Sequence, residues 1–193
     1  MSRRILIIYG TSYGQTEKIA RRLAGGLQRV DFTIDMCNAA TERPALPLEQ
    51  YDGIIVGSSI IAQGHQPAIK DFIRANVSVL NRVRSAFFQV SASAGSTIAA
   101  SRDAAQRILQ EFLAQQGWTP ILSASIAGAI NYTRYNFLLK AFMKRASAKN
   151  GGSTDTSRDH EYTNWDDVDR FAIAIANEFR PVRVSDHALA VES

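Results

Sequence analysis

The 193-residue chain contains a single cysteine, Cys37. A lone thiol excludes an internal disulfide framework and any multi-cysteine metal site, and it suits a reducing compartment. Its histidines, His65, His160 and His187, share no metal-ligand spacing, so no metal is expected. Long apolar runs are missing as well. The start MSRRILIIYG holds only Ile5, Leu6, Ile7 and Ile8 before Tyr9, against the roughly 7–15 apolar residues of a secretory leader. No window approaches the ~18 apolar residues of a spanning helix. Neither common nucleotide signature is present, neither Gly-x-Gly-x-x-Gly nor Gly-Lys-Ser/Thr. One further absence is local. From residue 112 to residue 154 there is no acidic side chain, although the net charge is only +4.

What is present alternates between apolar runs and helical periodicity. RILIIYG (4–10) is apolar on both faces, as in a buried parallel strand. FTIDMCN (32–38) alternates and suits a strand nearer an edge, with Cys37 as a small buried residue. Further strands are expected at 51–59, 85–93 and 119–130. Between them, helices are expected at 16–30, where Ile19, Leu23 and Leu27 recur every four residues, and from Pro67 through Ile69, Phe72 and Ile73. Ala99 opens another helix that runs to Gln116, and Trp165 a closing one that runs to Phe179. The pattern predicts an α/β, doubly wound, five-stranded parallel sheet in one domain, residues 1–180. Residues 181–193 show no periodicity and are expected to be a mobile tail. In such sheets ligands bind beyond the carboxyl ends of the strands, where the loops 10–16, 58–65 and 91–97 fall.

The first of these loops, YGTSYGQT (9–16), packs hydroxyls, glycines and a helix start into one turn. Thr11, Ser12 and Thr16 offer donors, and Gly10 and Gly14 permit close backbone approach. The helix that follows presents free amides and a positive dipole end. No lysine or arginine lies inside the loop, which favours a phosphate monoester held by neutral donors. The alternative is an ordinary Ser/Thr helix cap.

In this context the stretch Thr11, Ser12, Tyr13, Gly14, Gln15, Thr16 resembles the FMN phosphate loop of flavodoxins. Four stretches, GQTEKIA (14–20), IAGAINYTRYNFLLKAFMK (126–144), GGSTDT (151–156) and YTNWDDVDRFA (162–172), resemble the menaquinone-dependent protoporphyrinogen IX dehydrogenases, a flavodoxin-like family. The resemblance implies FMN as cofactor, with Ser58 and Ser59 of the second loop and Ser91, Ala92 and Ser93 of the third beside its ring. It also implies a porphyrinogen substrate and a quinone acceptor. Thr154, Asp155 and Thr156 are expected to touch the flavin or the residues around it, an Asx turn being the plainer reading. One departure is local: where the family carries an arginine and then a tyrosine, this chain has Ile61, Ala62 and Gln63.

His65 follows Gly64 in the second loop, either at the flavin rim or as an exposed loop histidine. Residues 131–150 are expected to interrupt the fifth strand, which would resume near 160–163. This insert carries Arg134, Lys140, Lys144, Arg145 and Lys149 among Tyr135, Leu138, Leu139, Phe142 and Met143. It is either a helix packed on its own domain or one that meets substrate or an anionic membrane surface. The corresponding location is cytoplasmic, peripheral on the inner membrane if the insert binds lipid. Because aromatic and basic residues interleave only here, no nucleic-acid partner is expected. Two other functions fit the same fold: an NAD(P)H-quinone reductase, and an electron-carrier flavodoxin, whose acidic docking surface the basic balance of this chain argues against.

Overall fold

The computed structural model describes residues 3–61, 64–149 and 151–180. Five strands, β1 (Arg3–Gly10), β2 (Phe32–Asn38), β3 (Gly53–Ile61), β5 (Ser85–Ser91) and β6 (Leu122–Ala127), form a parallel sheet in the order β2-β1-β3-β5-β6. That is the flavodoxin-like doubly wound order, with its switch point between β1 and β3. A two-residue strand, β4 (Gly64–His65), folds back antiparallel on the end of β3. The second expected loop is thus largely a strand extension.

Alternation along β1 explains the layering. Ile5, Ile7 and Tyr9 pack with α1 (Gln15–Gln28) and α5 (Trp165–Phe179) on one face. Leu6 and Ile8 pack with α2 (Pro67–Leu80) and α3 (Ala99–Gln116) on the other. A strand buried on both sides needs apolar residues at successive positions, which is why ILII reads as a run and not as an alternation. Helix α5 is docked on α1 partly by Arg22, whose guanidinium grips both carboxylate oxygens of Asp169 at 2.6 and 2.7 Å. Both partners are well exposed, so this fork contributes geometry more than stability. Among the described residues no helix is long and apolar enough to cross a membrane.

The insert departs from expectation at its base. Strand β6 ends at Ala127 and does not resume in the main sheet. Instead β7 (Ala129–Ile130) pairs antiparallel with β8 (His160–Glu161), a separate two-stranded ladder. Between these two strands the chain makes a short turn, Tyr132–Arg134, and then α4 (Phe137–Lys149). The tail expected at 181–193 lies outside the described residues, as do Ala62 and Gln63.

Candidate functional site

The parallel strands end in register along one edge: Gly10 faces Ser58, Ser59 faces Val90, and Ser91 faces Ala127. A cavity of about 280 Å³ opens there. It lies near the lower end of the ~300–1,000 Å³ usual for small-molecule sites.

The loop after β1 makes one wall, through Thr11, Ser12, Tyr13, Gln15 and Thr16. Gly14 turns the chain with φ 92°, a left-handed conformation that side chains disfavour. Its N–H donates to Thr11 Oγ1 at 2.9 Å, and α1 begins at the next residue. The first-turn amides of α1 have no helical carbonyl to meet, and they carry the positive end of the dipole. Thr16 belongs to the cavity lining, and its Oγ1 is fully buried with no hydrogen-bond partner among the described residues. Such an orphaned hydroxyl costs roughly 1–3 kcal/mol. An acceptor oxygen of a phosphate placed at this helix start would satisfy it, so the residues present fit a phosphate-bearing cofactor. The Gln15 side chain is otherwise engaged. Its Nε2 donates to Thr163 Oγ1 at 2.8 Å, and that hydroxyl donates to the carbonyl of Ala127.

Ser59, Ile60 and Ile61 of β3 make the second wall. Ser58 stands behind it: its buried hydroxyl accepts from Gln66 N at 3.1 Å and donates to Ser59 O. Gln66 Nε2 donates to Ser12 Oγ at 2.7 Å and to Ser59 Oγ at 2.8 Å, joining the first two walls. Ser91, Ala92 and Ser93 line the third side, continued by Gly95, Ser96 and Thr97 and by Ala105 and Ile108 of α3.

The insert supplies the fourth side. Leu139, Phe142, Met143, Ala146 and Ser147 of α4 face the cavity, with Asn131 and Tyr135 at its base. The Tyr135 ring meets Tyr13 edge-on, with centroids 4.9 Å apart. Asn131 N donates to the Tyr135 hydroxyl at 3.1 Å, and burial pushes this phenol's pKa up, so it stays protonated. Arg134 Nη1 reaches Tyr13 O at 3.3 Å, a contact that ties the insert to the loop after β1. No described side chain lining the cavity is charged. The lining therefore offers neutral donors and a helix end. Tyr13 and Tyr135 place two aromatic rings on the cavity wall.

Thr154, Asp155 and Thr156 do not line the cavity. Ser153, just before them, straps the insert down: Tyr132 and Ser147 donate their hydroxyls to its carbonyl at 3.0 and 2.7 Å, while its N–H donates to the Tyr162 hydroxyl. Asp155 turns outward and accepts from the amide and hydroxyl of Ser157, an Asx-type turn. Among the described residues of this region, Gly151, Gly152 and Tyr162 reach the cavity.

His65 is neither at the cavity nor exposed. It is buried, its ring stacks on Phe112 at 3.8 Å, and its Nε2 lies 3.1 Å from Gln89 Oε1. Gln89 Nε2 already donates to Ala105 O and Ser125 Oγ, so Oε1 is left to accept and His65 carries its proton on Nε2. Burial lowers its pKa from 6.5 to about 4. Between those values the unfolded chain takes up a proton that the folded chain refuses, so stability falls as pH drops from 6.5 toward about 4. Urea melts across that window should show the loss, and His65→Gln, which still donates to Gln89 but does not titrate, should flatten it.

Sequence reasoning missed Gln66, Tyr135 as a cavity residue, and Tyr162. A partial signal existed for Gln66, which precedes the Pro67 that opens α2 and so had to lie at a strand-to-helix corner.

Residues 6–157 match the flavodoxin domain family model. Over 173 residues the chain is 32% identical to the protoporphyrinogen IX dehydrogenase [quinone] of Escherichia coli (strain K12), covering 89% of this chain and 94% of that one. It is 30% identical to the protein of the same name from Leishmania major, over 89% of this chain and 74% of that one. Among solved structures, oxidised flavodoxin 1 from Bacillus cereus superposes with a TM-score of 0.54 at 21% identity, over 91% of this chain and 96% of that one, a likeness of fold. The chain therefore belongs to the flavodoxin-domain family and, within it, to the protoporphyrinogen IX dehydrogenase [quinone] family.

Proposed function

We propose that the protein holds FMN at the 10–16 loop, oxidises protoporphyrinogen IX to protoporphyrin IX, and passes the electrons to menaquinone or another quinone. The observation that carries the cofactor assignment is the orphaned Thr16 hydroxyl at the start of α1, facing the cavity at the switch point. The reaction is supported by the name shared by relatives that match 89% of the chain. A bound flavin supplies the two-electron chemistry that no side chain in the cavity offers.

The chain's own residues bind and shield. Thr11, Ser12, Thr16 and the first-turn amides of α1 take the phosphate. Ser59, Ser91, Ala92 and Ser93 border the ring, and Tyr13 and Tyr135 close its side. Leu139, Phe142 and Met143 of α4 exclude water and offer an apolar face to a flat macrocycle. Arg134 and Lys140 stand on the same insert, where propionates would meet them. Thr154, Asp155 and Thr156 stand behind this layer, next to the Ser153 that straps the insert down.

The other side of α4 suits a lipid surface. Phe137 and Leu138 are 83% and 77% exposed. Lys144, Arg145 and Lys149 accompany them, in no ion pair among the described residues. A quinone dissolved in the bilayer would be reached from there, giving a cytoplasmic protein that attaches peripherally. The basic charge is thereby assigned to lipid and propionates, not to nucleic acid.

Purified protein is expected to be yellow and to release FMN on denaturation. With a soluble menaquinone analogue and no oxygen, it is expected to convert protoporphyrinogen IX to fluorescent protoporphyrin. Rapid NAD(P)H-driven quinone reduction without porphyrinogen turnover would move the assignment to a quinone reductase.

A further inference from the structure

Gln66 occupies an unusual place, since one amide nitrogen serves two serines that are 47 residues apart in sequence, Ser12 at 2.7 Å and Ser59 at 2.8 Å. A carboxamide NH₂ has two hydrogens, and here each goes to one hydroxyl oxygen. The backbone N–H of Gln66 is spent on Ser58 Oγ, which anchors the residue at the head of α2. Space for its side chain comes from Gly10, where a Cβ would stand 2.8 Å from Gln66 Cβ and from Ile69 Cγ1. Ser12 and Ser59 both line the cavity, and neither hydroxyl donates to another group among the described residues.

We infer that Gln66 is a positioning residue that sets the polarity of the site, occupying the oxygen of each serine so that each O–H is aimed at the ligand as a donor. The ligand must then present acceptors at both places: a phosphate oxygen beside Ser12, and a ring carbonyl or unprotonated ring nitrogen beside Ser59. This rests on the flavin assignment and adds to it which chain atoms choose the orientation of the ring.

Reversing the polarity of position 66 tests this. Apoprotein of the wild type, Gln66→Glu and Gln66→Leu is titrated with FMN and with riboflavin, which lacks the phosphate, and binding is read from quenching of flavin fluorescence. At neutral pH a carboxylate at 66 accepts from both serines and turns their protons away from the ligand. FMN affinity in Gln66→Glu is expected to fall by about tenfold or more, beyond the fall in Gln66→Leu. It is expected to recover partly as pH approaches the ordinary carboxyl range near ~4.3, where the acid again donates. Neither the wild type nor Gln66→Leu should show that recovery. A bracing role alone makes leucine at least as harmful as glutamate, with no difference in pH profile, and that result overturns the inference. So does wild-type affinity in Gln66→Glu, which would mean that the amide meets the serines through its oxygen.

Two further variants keep the question open to test if Gln66→Glu does not melt cooperatively. Ser12→Ala is expected to weaken FMN and leave riboflavin unchanged, whereas Ser59→Ala weakens both by the same factor. Any other division between the two ligands removes the assigned acceptors. If the wild-type apoprotein binds neither flavin, it is the cofactor assignment that fails.

Discussion

Replacing Thr16 by valine and Ser12 by alanine together is expected to weaken FMN binding by about a hundredfold to ten-thousandfold. Each change removes a hydrogen bond to a charged acceptor, worth about 1.5–3 kcal/mol, and about 1.4 kcal/mol corresponds to a tenfold change. The Thr16 component carries a second signature of opposite sign. In the flavin-free protein Thr16 Oγ1 is buried and unsatisfied, and valine has nearly the same shape without the hydroxyl. Thr16→Val should therefore stabilise the apoprotein, by up to the roughly 1–3 kcal/mol that an orphaned polar group costs. Helix propensity does not interfere, because threonine and valine rank together. Urea unfolding of apoprotein and fluorescence titration with FMN measure the two effects separately. A hydroxyl kept for packing would lose stability on substitution and leave FMN binding alone. Unchanged affinity in a folded double variant would place the phosphate elsewhere.

Changing Lys144, Arg145 and Lys149 to glutamate is expected to abolish flotation with anionic liposomes. A basic side chain near such a surface contributes about 1 kcal/mol, and reversal replaces three attractions by three repulsions, roughly 3–6 kcal/mol in all. Phe137 and Leu138 remain exposed in this variant, but two side chains do not hold a protein against that repulsion. None of the three basic residues lines the cavity, so flavin content should be unchanged, and the variant separates attachment from cofactor binding. Wild-type flotation should also weaken at high salt, because ~1 M salt shortens the screening length to about 3 Å. A wild type that never floats, or a triple variant that floats as well, would return the insert to a helix packed only on its own domain.

The insert shows how far local reading reaches. Its helix, its basic charge and its lack of acid are all in the residues from 131 to 150. Which side of that helix closes the cavity is not. Leu139 and Met143 turn inward where Tyr132, Ser147 and Tyr162 converge on Ser153, contacts that span up to 21 residues. The same strap leaves Thr154, Asp155 and Thr156 off the cavity wall, just beyond Ser153. His65 illustrates the opposite limit. Its loop was visible in the sequence, but β4 folds back on β3 and delivers the ring to Phe112 of α3, a neighbour chosen by packing alone.

By itself the sequence determined the strand and helix order, because a strand buried on both faces and a helix buried on one each write their period into a few consecutive residues. It likewise determined the 10–16 turn, since two glycines, the hydroxyls and the helix start all lie within it. Only the tertiary structure decided that Gln66 bridges Ser12 and Ser59, that Tyr135 meets Tyr13, and that Gln15 is tied to Thr163. Those partners come from different strand ends. They meet because parallel pairing sets Gly10, Ser58, Val90 and Ala127 along one edge. That convergence is a property of sheet register and layer packing, and no single stretch of the chain carries it.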